Sequence, residues 1–262
     1  MKYFFHNKNE IIKNLTSRRA LIFLDYDGTL VPIKKNPELA VLNLKIKKLL
    51  RQISKKHFVA IISGRTLAEI KKLVGIENII YSGNHGFEIE MQMTADKKTR
   101  FPQIFICPAA KKIKPEIQTI KKALQKRIEN IKGAWVEDKG LTITIHWRQV
   151  NKRYLPELFA TIRAVIRNNS RVVLTKGKKV WEIRPNVKWN KGKAVRFIMS
   201  KVRSPKSKVV PVFIGDDTTD EDAFKTLNNG ITIRVGQSKK SKAKYYIKNQ
   251  SEIKKTLSYL IA

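Results

Sequence analysis

The chain alternates short, continuous apolar runs with longer segments whose apolar residues recur three and four positions apart. Residues 21–30, LIFLDYDGTL, carry the first run, which ends in Asp25-Tyr26-Asp27-Gly28-Thr29. Residues 58–65, FVAIISGR, end in Ser63-Gly64-Arg65, and residues 209–222, VVPVFIGDDTTDED, end in a burst of acid. Runs that stay apolar at every position suit strands covered on both faces, as in a parallel sheet. Between and after them the helical period predicts helices over about 8–19, 39–56, 66–74, 191–201 and 220–228. ITIRVG at 231–236 reads as a further strand before a closing helix, and residues 77–90 as strand, Gly-rich loop at 83–86, strand. This grammar predicts an α/β fold with a doubly wound, mostly parallel Rossmann-like core sheet. In such sheets ligands bind outside the carboxyl ends of the strands, where all three polar loops fall.

Near residue 101 the pattern changes. Residues 109–131 read as a basic amphipathic helix, and GAWVEDKGLTITIHW as a hairpin turning near Lys139-Gly140. A helix at 153–168 follows, then SRVVLTKGKKVWEIR, a hairpin turning near Lys176-Gly177. Helix and hairpin thus occur twice, which predicts a smaller α+β domain: a four-stranded antiparallel sheet with two helices on one face. The expected organisation is a core of residues 1–100 and 187–262, interrupted by an inserted domain at 101–186 that acts as a lid on the sheet's carboxyl edge.

At 262 residues, the chain is long enough to bury roughly three-quarters of its unfolded surface. Its net charge of +34 invites a polyanion reading, but the 55 Lys and Arg are spread over the whole chain, mostly on polar faces of predicted helices. There is no basic tail, nucleic-acid motif or aromatic–basic stacking platform, so no specific nucleic-acid partner is expected. A polyanion-binding protein on this scaffold remains the alternative from another functional class. No run approaches the ~18 uncharged apolar residues that span a bilayer. The N-terminus lacks a signal-peptide pattern, and the single Cys107 excludes an internal disulfide. A cytoplasmic monomer is the expectation.

The acids change the picture more. Asp216, Asp217, Asp220, Glu221 and Asp222, with Asp25 and Asp27, make seven of the 21 Asp and Glu. Crowded carboxylates repel unless a cation joins them, and hard oxygen donors beside a phosphate suit Mg²⁺. Asp25 is placed to attack phosphorus as a nucleophile, and Asp27 to protonate the leaving alcohol and then activate water. Thr29 and the Ser63 hydroxyl can bond the phosphoryl group, and Lys193 can supply charge against its oxygens. Asp216 would hold the metal, with Asp217 and Asp220 as nearer or outer ligands. Taken singly, Ser63-Gly64-Arg65 also fits a plain strand exit, and the acids at 220–222 also suit a helix N-terminus.

Four segments, DYDGTL, SGR, NKGKA and GDDTTDEDAF, resemble the motifs of the haloacid dehalogenase superfamily, in that superfamily's order. GNHGFE at 83–88, VWEIRP at 180–185 and GDDTTDEDAF at 215–224 are similar, more narrowly, to the trehalose-6-phosphate phosphatase family. The resemblance implies Asp25 as nucleophile and Asp27 as acid/base, with Ser63, Gly64, Arg65 and Lys193 around the phosphate. It implies Mg²⁺ on the Asp25 carboxylate, the Asp27 backbone carbonyl and Asp216. It brings Lys178, Glu182 and Arg184 from the inserted domain, and Asn84, His85 and Gly86 from the core, to the sugar. From the residues alone, Glu182 and Arg184 suit a cross-strand salt bridge equally well. The implied activity is hydrolysis of trehalose 6-phosphate to trehalose and phosphate, with a separate trehalose-phosphate synthase as a partner. Sucrose 6-phosphate and mannosyl-3-phosphoglycerate are the alternative substrates.

Overall fold

The computed structural model describes residues 1–16, 18–34, 37–91, 102–177, 179–202 and 209–261. Among them the chain begins β1 (Lys2–Tyr3), α1 (Lys8–Thr16), β2 (Ala20–Leu24), α2 (Leu44–Lys56), β3 (Phe58–Ile62) and α3 (Leu67–Val74). It continues with β4 (Ile80–Gly83), β5 (Glu88–Met91), β6 (Gln103–Ile106), α4 (Pro108–Ile128), β7 (Trp135–Asp138) and β8 (Ile143–His146). Next come α5 (Leu155–Ile166), β9 (Val172–Gly177), β10 (Val180–Pro185), α6 (Lys191–Val202) and β11 (Val210–Gly215). The last elements are α7 (Glu221–Thr226), β12 (Ile231–Val235), β13 (Tyr245–Ile247) and α8 (Ile253–Tyr259).

Two compact units result, residues 1–105 with 189–262 and residues 106–188. The first carries the order β1-β13-β12-β11-β2-β3-β4-β5-β6. Its strands from β1 to β4 run parallel and β5 turns back antiparallel to β4. This is the doubly wound α/β sheet the apolar runs predict. All five residues of β2 are buried: Ile22 and Leu24 pack with α1, α2, α3 and α8, and Leu21 and Phe23 with α6 and α7. Burial on both faces is why that run has no polar alternation.

The differences from the predicted elements have local causes. Helix α2 starts at Leu44 rather than near 39, because the Asn43 side chain accepts the Lys45 N–H and caps it there. Residues 37–39 instead form a single 3₁₀ turn. The chain leaves the core after residue 105 rather than 100, because β6 lies on the edge of the core sheet.

The second unit holds an antiparallel sheet in the order β7-β8-β10-β9. Val136, Ile145 and Trp181 stand in register, as do Ile143, Ile183 and Leu174. They pack with Ile113, Ile117, Ile120 and Leu124 of α4 and Leu158 and Ile162 of α5. The opposite sheet face carries Glu137, Thr144, Glu182 and Thr175 in one cross-strand row. Gly177 pairs with Val180, so the second hairpin turns beside Lys176-Gly177, near where the sequence places it.

Candidate active site

The order β11-β2-β3 sets three strand exits side by side. Leu24 is in register with Ile214 on one side and Ile61 on the other. Asp25 continues that pairing by donating its N–H to the Ile214 carbonyl at 2.9 Å. Its carboxylate therefore stands between Ser63, beyond β3, and Asp216, beyond β11. Gly28 has φ +95°, and a Cβ there would lie 2.2 Å from Asp216 Oδ2. A residue without a side chain is what lets the two acid loops close on each other. Thr29, fully buried, donates its hydroxyl to Asp216 Oδ1 at 3.4 Å.

The lysine at these carboxylates is Lys191, not Lys193. Lys191 is 2 % exposed, and its Nζ donates to Asp25 Oδ1 and Asp220 Oδ1 at 2.7 Å each. Lys193 is exposed, and its backbone N–H caps onto Asn190 Oδ1 at 3.0 Å. Helix geometry explains the correction: residues two apart point about 200° apart, so only one can face the acids. A signal for the right choice was present, since Ala194, Val195 and Ile198 stand three, four and seven residues after Lys191 and are buried with it.

Burial favours loss of the Lys191 proton, but Asp220 and Asp25 outweigh it and hold its pKa above the ordinary lysine range. Burial pushes the Asp25 carboxyl well up, Lys191 opposes this, and Asp220 and Asp216 push it further up. A cation relieves such a site. Asp25, Asp216 and Asp220 each offer an oxygen within 4.8 Å of one another. Asp220, however, already accepts from Lys191 on Oδ1 and from the N–H groups of Asp216 and Asp217 on Oδ2, each at 2.9 Å. It orients the lysine and the Asp216 loop, so Asp25 and Asp216 are the pair that fits a hard divalent ion. Asp27 and Asp217 stand outside this cluster among the described residues. The Asp217 carboxylate accepts from the backbone N–H and hydroxyl of Thr218.

Asp27 is gripped by Arg65, whose Nε donates to Oδ2 at 2.7 Å and Nη2 to Oδ1 at 2.8 Å. The Ser63 hydroxyl accepts the Arg65 N–H at 3.1 Å. The Ser63 carbonyl accepts the His85 N–H, and the Arg65 carbonyl the Asn84 N–H, so the SGR and GNHG segments are one structure. The His85 ring covers Gly64, where a Cβ would come within 2.6 Å of it. Asn84 donates its amide to Glu88 at 2.6 Å. Gly86, at φ +100°, accepts Trp189 Nε1–H on its carbonyl at 2.8 Å and has no room for a Cβ against Ala194.

In the second unit, Glu182 and Arg184 share a strand face two residues apart. Arg184 Nε lies 3.7 Å from Glu182 Oε2, and Lys139 Nζ lies 3.8 Å from Oε1. The contact between Glu182 and Arg184 thus runs along one strand rather than across two. Lys178 lies outside the described residues.

The model of the trehalose-phosphatase family matches residues 23–251. Trehalose-phosphate phosphatase B of Arabidopsis thaliana is 32% identical over 258 residues, covering 97% of this chain and 69% of that protein. The probable trehalose-phosphate phosphatase E of the same plant is 34% identical over 257 residues, covering 96% and 73%. A solved trehalose-6-phosphate phosphatase related protein superposes with a TM-score of 0.79 at 26% identity, over 92% of this chain and 97% of that one.

Proposed function

The chain belongs to the trehalose-phosphatase family, and on that premise we propose that it hydrolyses trehalose 6-phosphate through an aspartyl-phosphate on Asp25. The observation that carries this reading is the buried trio of Asp25, Lys191 and Asp220, with Asp216 alongside, at the exits of adjacent strands. An Asp25 oxygen attacks phosphorus as the bond to the sugar breaks. The bonding pair goes to the sugar oxygen, which takes a proton from Asp27. Water then attacks the aspartyl-phosphate, gives its proton to Asp27, and returns Asp25 as a carboxylate with phosphate released.

Lys191 holds Asp25 in place and opposes the charge gathering at the phosphoryl oxygens. Mg²⁺ held by Asp25 and Asp216 supplies further positive charge against those oxygens when bound. Ser63 and Thr29 are hydroxyl donors at the same strand exits. Glu182 and Arg184, a carboxylate and a planar donor, suit paired sugar hydroxyls, and His85 is the candidate of the core unit for the same substrate. Among the described residues no helix is long and apolar enough to cross a membrane. A cytoplasmic location and a separate synthase that makes the substrate belong to the same proposal.

The test is phosphate release from trehalose 6-phosphate, sucrose 6-phosphate, glucose 6-phosphate, mannosyl-3-phosphoglycerate and p-nitrophenyl phosphate. A clear preference for the first is expected, lost on chelation, restored by Mg²⁺, and reduced at least about a thousandfold in Asp25→Asn. Similar rates across the panel would leave the chemistry standing and remove the named sugar. Undiminished activity in Asp25→Asn would remove the chemistry.

A further inference from the structure

Arg65 reads from the sequence as a phosphate contact, yet the bonds that its Nε and Nη2 make run to Asp27 and Pro37 instead. Nε and Nη2 form a two-pronged bond to the Asp27 carboxylate, and Nη2 also donates to the Pro37 carbonyl at 2.9 Å. The arginine is itself locked. Its side chain is 9% exposed against 38% for Asp27, so the guanidinium is the anchor and the carboxylate the partner it holds. Its backbone is tied on both sides, to the Ser63 hydroxyl and to the Asn84 N–H. The guanidinium carbon lies 5.6 Å from the Tyr26 ring centroid, and the Tyr26 hydroxyl donates to the Ala40 carbonyl at 2.7 Å. One buried side chain therefore joins the β3 exit, the Asp27 loop and the 37–40 turn. Asp27 itself precedes Gly28 in a loop, where a side chain left alone would sample several rotamers.

We propose that Arg65 is a positioning residue that aims the Asp27 carboxyl group, which carries the proton at this step and returns as a carboxylate, toward the departing sugar oxygen, rather than a ligand of the phosphate. This rests on the aspartyl-phosphate reading above, in which the sugar oxygen takes its proton from Asp27 as the phosphorus–oxygen bond breaks. A sugar alkoxide leaves poorly without that proton, whereas p-nitrophenolate leaves without one. Loss of Arg65 should therefore be felt according to the leaving group.

The experiment measures kcat/KM, which reports the steps through departure of the alcohol, for trehalose 6-phosphate and p-nitrophenyl phosphate in wild type, Arg65→Met and Arg65→Lys. For Arg65→Met a drop of at least about thirtyfold is expected on the sugar phosphate, within the ~10²–10⁴ that general acid catalysis contributes. On p-nitrophenyl phosphate it should stay within about threefold, and that retained activity also reports a folded core. Arg65→Lys, a point charge without the planar fork, should recover part of the loss. Inhibition by inorganic phosphate should match wild type in both variants.

Equal losses on the two substrates, or weakened phosphate inhibition, would overturn the proposal in favour of a structural or phosphate-binding role. Should Arg65→Met fail to fold, the same comparison in Arg65→Lys decides. A wild type inactive on every sugar phosphate would overturn the functional reading together with this one. A wild type active on trehalose 6-phosphate with equal losses in the variants would overturn the Arg65 role alone.

Discussion

The two units treat their charges differently. In the core, Lys191, Asp25 and Asp220 are sunk together with both lysine contacts at 2.7 Å. In the second unit, the charges around Glu182 are less deeply buried, with Arg184 Nε at 3.7 Å and Lys139 Nζ at 3.8 Å among its neighbours. Charges taken fully out of water must satisfy one another in a single geometry, and that geometry is then ready before any substrate arrives. Charges nearer to water are more weakly coupled to their partners. The core thus holds a fixed, buried charge pattern suited to chemistry, whereas the second unit carries its charges on a less buried strand face. His146 belongs to that face, where it bonds Glu137 at 2.7 Å and stacks on Trp135 at 3.7 Å between centroids.

The sharpest way to break this contrast is to remove the buried cation. Lys191→Met leaves two carboxylates buried without their partner, a change that costs on the order of 3–5 kcal/mol. Urea unfolding should register that loss, and kcat/KM on trehalose 6-phosphate should fall at least about a hundredfold. Lys193→Met, two residues away on the exposed side of α6, should change stability by no more than about 0.5 kcal/mol. Equal effects of the two substitutions would refute the buried-cluster account.

Glu182→Ala tests the other side of the comparison. Losing a charged hydrogen bond to a sugar should lower kcat/KM on trehalose 6-phosphate at least about tenfold. Activity on p-nitrophenyl phosphate, which has no sugar to recognise, should hold within about threefold. A trehalose 6-phosphate loss within about threefold would remove Glu182 from recognition.

The smallest effect is expected at Asp138, at the edge of the second unit's sheet. Burial raises its pKa, but Lys121, the Gly140 N–H and Gln118 outweigh that and hold it below the ordinary carboxylate value. A depressed folded pKa contributes stability above the unfolded value of about 3.9, lost as pH falls through the folded one. With the side chain 33% exposed, the contribution is under about 1 kcal/mol. Asp138→Asn should therefore lower Tm slightly near neutrality and flatten its decline below about pH 4. A large loss at neutral pH would show that this charge matters more than its exposure allows.

Much of this was open to a reading of the chain alone, for reasons that are local. Burial on both faces is written residue by residue in LIFL, FVAII and VFI, so the core strands and the acids at their ends followed from composition over a few positions. The cap of α3 was equally local, since Thr66 and Glu69 bond each other's backbone within one turn. Element boundaries were less so. The end of the first core segment depended on an edge strand's neighbour, whereas the Asn43 cap that starts α2 is a local signal like that of α3.

What the sequence by itself determined is the strands of a doubly wound sheet, their polar exits, and the kinds of side chain delivered there. What only the tertiary structure decided is which of them meet. Lys191 rather than Lys193 faces Asp25 because the helix packs on one side, and Arg65 holds Asp27 across 38 residues because β2 and β3 are neighbours. Asp220 gives both oxygens to Lys191 and to backbone amides, which sets it apart from Asp216 despite identical chemistry. Periodicity is a property of neighbours along the chain, whereas the partner of a charge depends on which elements are packed together.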